Sequence, residues 1–374
     1  MNLHVFNDEY GMYPNSSEKF IRETSPDNNK VINIAKQQTL PNPHITLVAP
    51  SVTSIKTFIN TLSEVDKIIL HPLNYETAFF LLALKKVFPN ATVYWVCWSY
   101  EIYNYHFPPE KMYLPYALRI VRNDLKARIK NFIKKNIIGV CLTPLFPLKS
   151  VRNLTKAYAM VDYFASFLEE DFYVATSITR NLKMQYLSFA YLSIDQIIDL
   201  NLTHDEGGKT IMLGHASSLE SNHYEMISDV SKLPITNKIL IPLAYGNEAY
   251  KHSIRRYAEA SLTGPLEIMT EKLSADKYYA KLREVKHAVF NLRVQQGLGN
   301  LLGLVYMGAK IYLREETTTF KQFKKWGIHV YAYEALASEI FIDLTAVEAC
   351  HNKAIILNLF NEKNVCLLWS PLLN

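Results

Sequence analysis

The sequence predicts an α/β protein of two doubly wound domains. Three observations carry the prediction. Short apolar runs alternate with helical segments in both halves of the chain, the order expected of parallel sheets. At 374 residues the chain is too long for one typical core and suits two. Residues 285–313 read as strand, turn, helix and strand: an apolar run at 288–290, the turn Gln295-Gln296-Gly297-Leu298-Gly299-Asn300, an apolar helical segment to Met307, a stop at Gly308 and a strand at 310–313.

The first domain opens on a strand at 3–6, followed by the polar loop Asn7-Asp8-Glu9-Tyr10-Gly11 at its carboxyl end, where ligands sit in open α/β sheets. Residues 23–43, with Pro26, Asp27, Asn28 and Asn29, read as loop with room for a short helical piece. Strands are expected at 45–48, 67–70 and 92–97, and helices at 52–62 and 77–87; the last is apolar nearly all round and so buried. Residues 116–138 form a basic amphipathic helix. Leu118, Val121, Leu125, Ile129, Phe132 and Ile133 make its stripe, and Arg119, Arg122, Lys126, Arg128, Lys130, Lys134 and Lys135 its other side. Such a helix suits an anionic membrane surface, or is an ordinary solvated face packed by its stripe. A strand at 159–164, a short helix closing at 172–175 and a polar connector over 177–209 follow. The boundary falls near 200–208, giving domains of 1–204 and 205–374.

The second half restarts the pattern. Strands are expected at 210–213, 238–241 and 266–269, and helices at 220–230, 248–262 and 274–285, before the unit at 285–313 completes the sheet. Two such domains suit an enzyme with ligands in the cleft between them.

Composition narrows the function. The balance of 40 basic and 35 acidic residues, +5, lacks the bias of a nucleic-acid binder. Cys97, Cys141, Cys350 and Cys366 are widely spaced and form no zinc pattern, which suits reduced thiols in the cytoplasm. The amino terminus lacks the pattern of a signal peptide, and no apolar run is long enough to span a membrane.

The chemistry candidates lie in the loops after strands. The turn at 295–300 places Gln295, Gln296, Gly297, Gly299 and Asn300 at a helix N-terminus. There, N–H groups without intrahelical partners, together with the helix dipole, attract anions. Gly214, Ser217 and Ser218 could take a phosphate or a nucleotide ring, or simply cap a helix. Tyr245 could stack on a base, with Asn247 and Glu248 beside it for sugar hydroxyls; the same residues also make an ordinary helix start. Arg293 could offset diphosphate charge or be a surface residue. In the first domain Asp8, His71 and Glu101 each follow a strand and are candidate general bases, with structural roles open for each. No Ser-His-Asp arrangement, zinc cluster or Asp-x-Asp pair is present, so neither metal nor cofactor is expected.

Three blocks in order carry a resemblance: Gly214 with Ser221-Asn222-His223; Ile241-Pro242-Leu243-Ala244-Tyr245-Gly246-Asn247-Glu248-Ala249-Tyr250; and Gln295-Gln296-Gly297-Leu298-Gly299. His4-Val5, the strand ending at His71, and Trp95-Val96-Cys97-Trp98-Ser99-Tyr100-Glu101-Ile102-Tyr103 agree more loosely. Together they resemble the TDP-N-acetylfucosamine:lipid II N-acetylfucosaminyltransferases, glycosyltransferase family 56. The resemblance implies a GT-B fold of two Rossmann-like domains facing a cleft, the second holding a nucleotide-diphosphate sugar and the first presenting the acceptor and a base. It also implies inverting, metal-independent transfer from dTDP-N-acetylfucosamine to a polyprenyl-diphosphate-linked saccharide, by a cytoplasmic protein at the inner membrane face. The family's Trp-Gly-Ala-Asp-Leu-Tyr block reads Trp98-Ser99-Tyr100-Glu101-Ile102-Tyr103 here. A further helix of the family, which in GT-B enzymes often returns to the first domain, is expected to be missing after Trp369-Ser370-Pro371. Two alternatives stand beside this reading: a GT-B transferase with another nucleotide sugar or acceptor, and a GT-B-like binding protein without turnover.

Overall fold

The structure, a computed structural model, describes residues 1–123, 145–202 and 208–374. The described residues divide into two compact units. One holds 1–106, 145–191 and 366–374, the other 107–123, 192–202 and 208–365. Of the basic helix expected over 116–138, Pro115–Asn123 is described and the remainder lies outside the described residues. No helix among the described residues is long and apolar enough to cross a membrane.

The first unit is a parallel sheet of seven strands: β1 (Asn2–Phe6), β2 (Asn29–Ile34), β3 (Thr46–Val48), β4 (Lys67–His71), β5 (Thr92–Val96), β6 (Tyr163–Ser166) and β7 (Gln185–Ser188), in the order β3-β2-β1-β4-β5-β6-β7. β1 is buried along its whole length, as a central strand covered on both faces must be. The order runs outward from β1 through β2 to β3, then reverses from β4 to β7. The carboxyl ends of β1 and β4 therefore flank a topological switch point, where open α/β sheets bind ligands.

Three elements here differ from expectation. The stretch read as loop over 23–43 contains β2, and Met12–Thr24 is a helix. β2 escapes a periodicity test because Asn29 and Asn33 interrupt its apolar run. Both ends of the Asn33 amide are used: Oδ1 accepts from Asp8 N at 3.0 Å and Nδ2 donates to Asp8 O at 2.7 Å, clamping the loop after β1. β7 likewise lies in what reads as polar connector, on the sheet edge, where polar side chains are at home.

The return to the first unit is made by a helix that contains Trp369-Ser370-Pro371 rather than by one beyond them. Glu362–Leu373 is helical, and residues 366–374 belong to the first unit. Its anchor is Trp369, fully buried against Phe20, Phe189 and Tyr191, and Asn2 Nδ2 donates to Leu373 O at 2.7 Å. An indole of this size contributes on the order of 3 kcal/mol through burial alone.

The second unit is a parallel sheet of six strands: β8 (Thr210–Leu213), β9 (Ile239–Pro242), β10 (Leu266–Met269), β11 (Val285–Val289), β12 (Lys310–Leu313) and β13 (Tyr331–Ala332), in the order β10-β9-β8-β11-β12-β13. β8, β9, β11 and β12 are fully or almost fully buried, matching their continuous apolar runs. The order again reverses beside the first strand, so the second switch point lies at the carboxyl ends of β8 and β11.

Candidate active site

In the second unit three loops converge at that switch point. The loop after β8 begins at Gly214, whose φ of +68° is left-handed. A Cβ there would lie 2.6 Å from His223 Nε2, so only glycine fits. Ser217 joins this loop to the one after β9: Ser217 N donates to Tyr245 O and Asn247 N to Ser217 O, both at 2.9 Å, and Ser217 Oγ donates to Tyr245 O at 2.8 Å. The third loop ends at Gly297, also left-handed at +69°, from which Leu298–Tyr306 runs as a helix with no side-chain cap. Ser218 Oγ reaches Gln296 Oε1 at 3.3 Å, and the His215 ring packs against Gly297.

Polar atoms without partners cluster here. His215 Nδ1, both ring nitrogens of His223 and Asn291 Nδ2 are buried and make no hydrogen bond. Burial lowers the His215 pKa to about 4 and that of His223 to about 3, the latter helped by His215, so both rings are neutral at physiological pH. His215 is 5% exposed, beside an uncapped helix start that favours negative charge.

The structure sorts the sequence-derived candidates. Gly214, Ser218, Gln296 and Gly297 come together, and Gly299 and Asn300 open the helix. Tyr245 is exposed and hydrogen-bonds the Asn300 side chain. Ser217 holds two loops together, and Asn247 caps the helix Glu248–Ser261 by accepting from Tyr250 N at 2.8 Å. Glu248 pairs with Lys251 at 2.7 Å. Gln295 is half-buried one residue before Gln296. Arg293 is already engaged, by Glu316 at 2.6 and 3.1 Å and by Glu110 O at 2.7 Å. Sequence reasoning did not single out His215, His223 or Asn291 as site residues. For His215 and Asn291 the signal available was polarity just after a buried strand, whereas His223 opens the helix His223–Val230 and carried no such signal.

In the first unit Asp8 follows β1 at its switch point. Its carboxylate accepts from Tyr10 N at 2.9 Å and Tyr13 N at 3.4 Å, and the side chain stays partly exposed. Asn74 Nδ2 donates to Asn7 Oδ1 at 2.6 Å, tying the loops after β1 and β4.

His71 and Glu101 are fully buried. His71 lies in a chain whose direction its ends fix. Trp98 Nε1 can only donate, and gives its hydrogen to Tyr191 Oη at 2.7 Å. Tyr191 then donates to His71 Nδ1 at 2.6 Å, His71 Nε2 to His4 Nδ1 at 3.3 Å, and His4 Nε2 to Asn29 Oδ1 at 3.1 Å. This order of donors holds with both rings neutral. This agrees with a His4 pKa lowered to about 4, and a His71 pKa pushed well below the usual range, each chiefly by burial. Glu101 Oε1 accepts from Trp95 Nε1 at 2.9 Å and Trp98 N at 3.0 Å, while Oε2 is buried without a partner. Burial raises its pKa to about 7, against the opposing pull of those bonds.

Comparison with known proteins follows the same lines. Residues 153–370, more than half of the chain, match the family described as 4-alpha-L-fucosyltransferase glycosyl transferase group 56. A sucrose-phosphate synthase from Thermosynechococcus elongatus superposes with a TM-score of 0.64 at 9% identity, covering 100% of this chain and 98% of that one. HepE from Anabaena, in complex with UDP, gives 0.64 at 9% identity over 99% of this chain and 98% of that one. A UDP-forming α,α-trehalose-phosphate synthase from Burkholderia xenovorans gives 0.62 at 11% identity over 100% and 98%. At these identities the likeness is one of fold, and the fold is GT-B.

Proposed function

The chain belongs to the 4-alpha-L-fucosyltransferase glycosyl transferase group 56 family and is a glycosyltransferase, and we propose that it transfers a deoxy-aminosugar of the N-acetylfucosamine kind from dTDP to a lipid-linked saccharide in surface-polysaccharide assembly. One observation carries the donor half of this reading: the uncapped N-terminus of Leu298–Tyr306 at the β8–β11 switch point, with neutral, unpartnered His215 beside it. Its first N–H groups and helix dipole suit the diphosphate, and Tyr245 with Asn300 suits the base or the sugar. HepE, of the same fold, is known with UDP bound, which supports a nucleotide-sugar donor.

The transfer is a single displacement with inversion. A carboxylate takes the proton of the acceptor hydroxyl as its oxygen bonds to the anomeric carbon. The bond from that carbon to the diphosphate oxygen breaks, and the negative charge passes to the diphosphate. Main-chain N–H groups and neutral donors stabilise that charge without a metal ion. We assign the base to Asp8, because it alone of the three candidates keeps a partly exposed carboxylate at a switch point; His71 and Glu101 have neither exposure nor a free approach. The exposed Arg119, Arg122 and Ile120 on Pro115–Asn123 support peripheral contact with the inner membrane face.

Thermal denaturation with dTDP, UDP, GDP and CMP tests the reading, since a ligand of the folded state raises the melting temperature. The expected result is a rise with dTDP above the others. A chain indifferent to all four nucleotides is not using a nucleotide sugar.

A further inference from the structure

An unusual amount of buried polarity in the first unit is spent on one aromatic residue, Trp98. Its backbone N–H is held by the buried carboxylate of Glu101, and its indole N–H by Tyr191. Behind Tyr191 stands the chain through His71 and His4 to Asn29. The next residue, Ser99, has a left-handed φ of +66°, rare for anything but glycine. That conformation persists because the Ser99 hydroxyl donates to buried Asp171 at 2.7 Å. Strained backbone that its surroundings over-determine clusters at ligand sites.

A helix cap accounts for part of this. Glu101 lies in the first turn of Tyr100–His106, and its bond to Trp98 N resembles half of a capping box. Capping does not account for a fixed indole, nor for two buried histidines aligned behind its partner. Trp95 and Trp369 are buried, and half-buried Trp326 only packs on Phe323 and Phe360. Half-buried Trp98, at the carboxyl end of β5, differs from all three in having its backbone N–H and its indole N–H both held by other side chains, those of Glu101 and Tyr191. Tyr13 packs 4.7 Å from it, and the backbone of Tyr13 is held by Asp8. The ring and the proposed base are therefore fixed through a single residue.

We propose that Trp98 is the platform on which a pyranose ring of the acceptor saccharide stacks, with Tyr191 and Glu101 as positioning residues that set its orientation. The proposal rests on the glycosyltransferase reading above and names the acceptor side of the same reaction. An aromatic face carries partial negative charge, and the C–H face of a pyranose partial positive charge, so the two attract while excluding water. A fixed ring loses little freedom on binding, which is what the hydrogen-bond chain provides.

The test is a ligand-observed NMR titration with N,N′-diacetylchitobiose as a soluble acetamido-sugar probe, run beside the dTDP melting shift. Trp98→Leu is expected to weaken saccharide binding about tenfold while leaving the dTDP shift in place. Trp98→Phe, which keeps an aromatic face, should restore most of the affinity, and Tyr191→Phe should fall between, again with the dTDP shift intact. Should Trp98→Leu not fold, Trp98→Phe and Tyr191→Phe carry the comparison. Equal saccharide affinity in the wild type and every folded variant, or no saccharide binding by the wild type, overturns the proposal. Loss of the dTDP shift in the wild type instead sinks the donor reading, so the two failures are distinguishable.

Discussion

Gly297 and His215 meet so closely that no side chain fits between them: a Cβ on Gly297 would lie 2.9 Å from His215 Cδ2 and 3.0 Å from Nε2. The contact draws the loop after β8 against the start of the helix Leu298–Tyr306, at the strand ends flanking the switch point. Gly297→Ala therefore faces two penalties, a left-handed φ of +69° and a clash with a buried ring. The backbone alone costs about 1–2 kcal/mol. dTDP affinity measured by calorimetry is expected to fall at least about tenfold. Undiminished affinity in a folded variant would place the nucleotide elsewhere.

His215→Ala separates the diphosphate from the rest of the nucleotide. With the proton on Nε2, neutral His215 can donate to a phosphate at any pH well above its lowered pKa of about 4. The variant should bind dTDP about tenfold more weakly, as expected for one hydrogen bond to a charged group, while affinity for thymidine stays as it was. An equal loss for both ligands would show a packing role only.

Asp8→Asn separates catalysis from nucleotide binding. The amide keeps an oxygen for Tyr10 N but cannot accept the acceptor's proton. Turnover should drop by about 10²–10⁴, with the dTDP melting shift intact. Glu101→Gln, whose amide oxygen still accepts from Trp98 N, should reduce turnover far less. The reverse ranking would move the base to Glu101.

Much of the fold was legible because burial leaves a strong mark. β1, β4, β5, β8 and β12 are near-continuous apolar runs, and all five were found from that signal. β2, β7 and β13 were not, because each carries its stability differently. β2 uses two asparagines, β7 is an edge strand, and β13 pairs through only two residues. The donor-side loops were legible as glycines after strands. The pairing of Gly297 with His215 was not, since they lie 82 residues apart (297 − 215) and only the sheet order joins them. His71 and Glu101 illustrate the opposite limit. Position after a strand identifies both, but the bonds that bury them come from Tyr191, His4 and Trp95, which no local pattern reveals.

The described part of the basic helix bears on membrane contact. Arg119 is exposed, and Arg122, paired at 2.8 Å with Glu110, is exposed too. An exposed pair of this kind adds little stability, so exchanging it for a contact with anionic lipid would cost the fold little. Binding to phosphatidylglycerol vesicles in a flotation assay should decline as salt rises from 0.05 to roughly 0.5 M, where screening shortens to a few ångströms. Arg119→Glu with Arg122→Glu should weaken it at low salt. Flotation that ignores both salt and charge reversal would speak against an electrostatic anchor.

Glu101 makes a prediction about pH whose sign is fixed by its burial. Its folded pKa is raised from 4.5 to about 7, so the folded chain holds a proton that the unfolded chain releases between those values. Its contribution is intact below about 4.5 and is lost as pH rises toward 7, a swing on the order of 3 kcal/mol. The buried histidines act oppositely: His4 and His215, lowered to about 4, and His223, lowered to about 3, make stability fall as pH drops below 6.5. Both proteins share those histidines, so a comparison of the wild type with Glu101→Gln cancels them. The glutamine has no charge to desolvate, and its stability relative to the wild type should therefore grow between pH 5 and pH 8. Denaturant unfolding at the two pH values measures the difference. A constant gap would mean that Glu101 ionises as easily in the folded chain as in the unfolded one, and that its burial against Trp95 and Trp98 is looser than the hydrogen bonds imply.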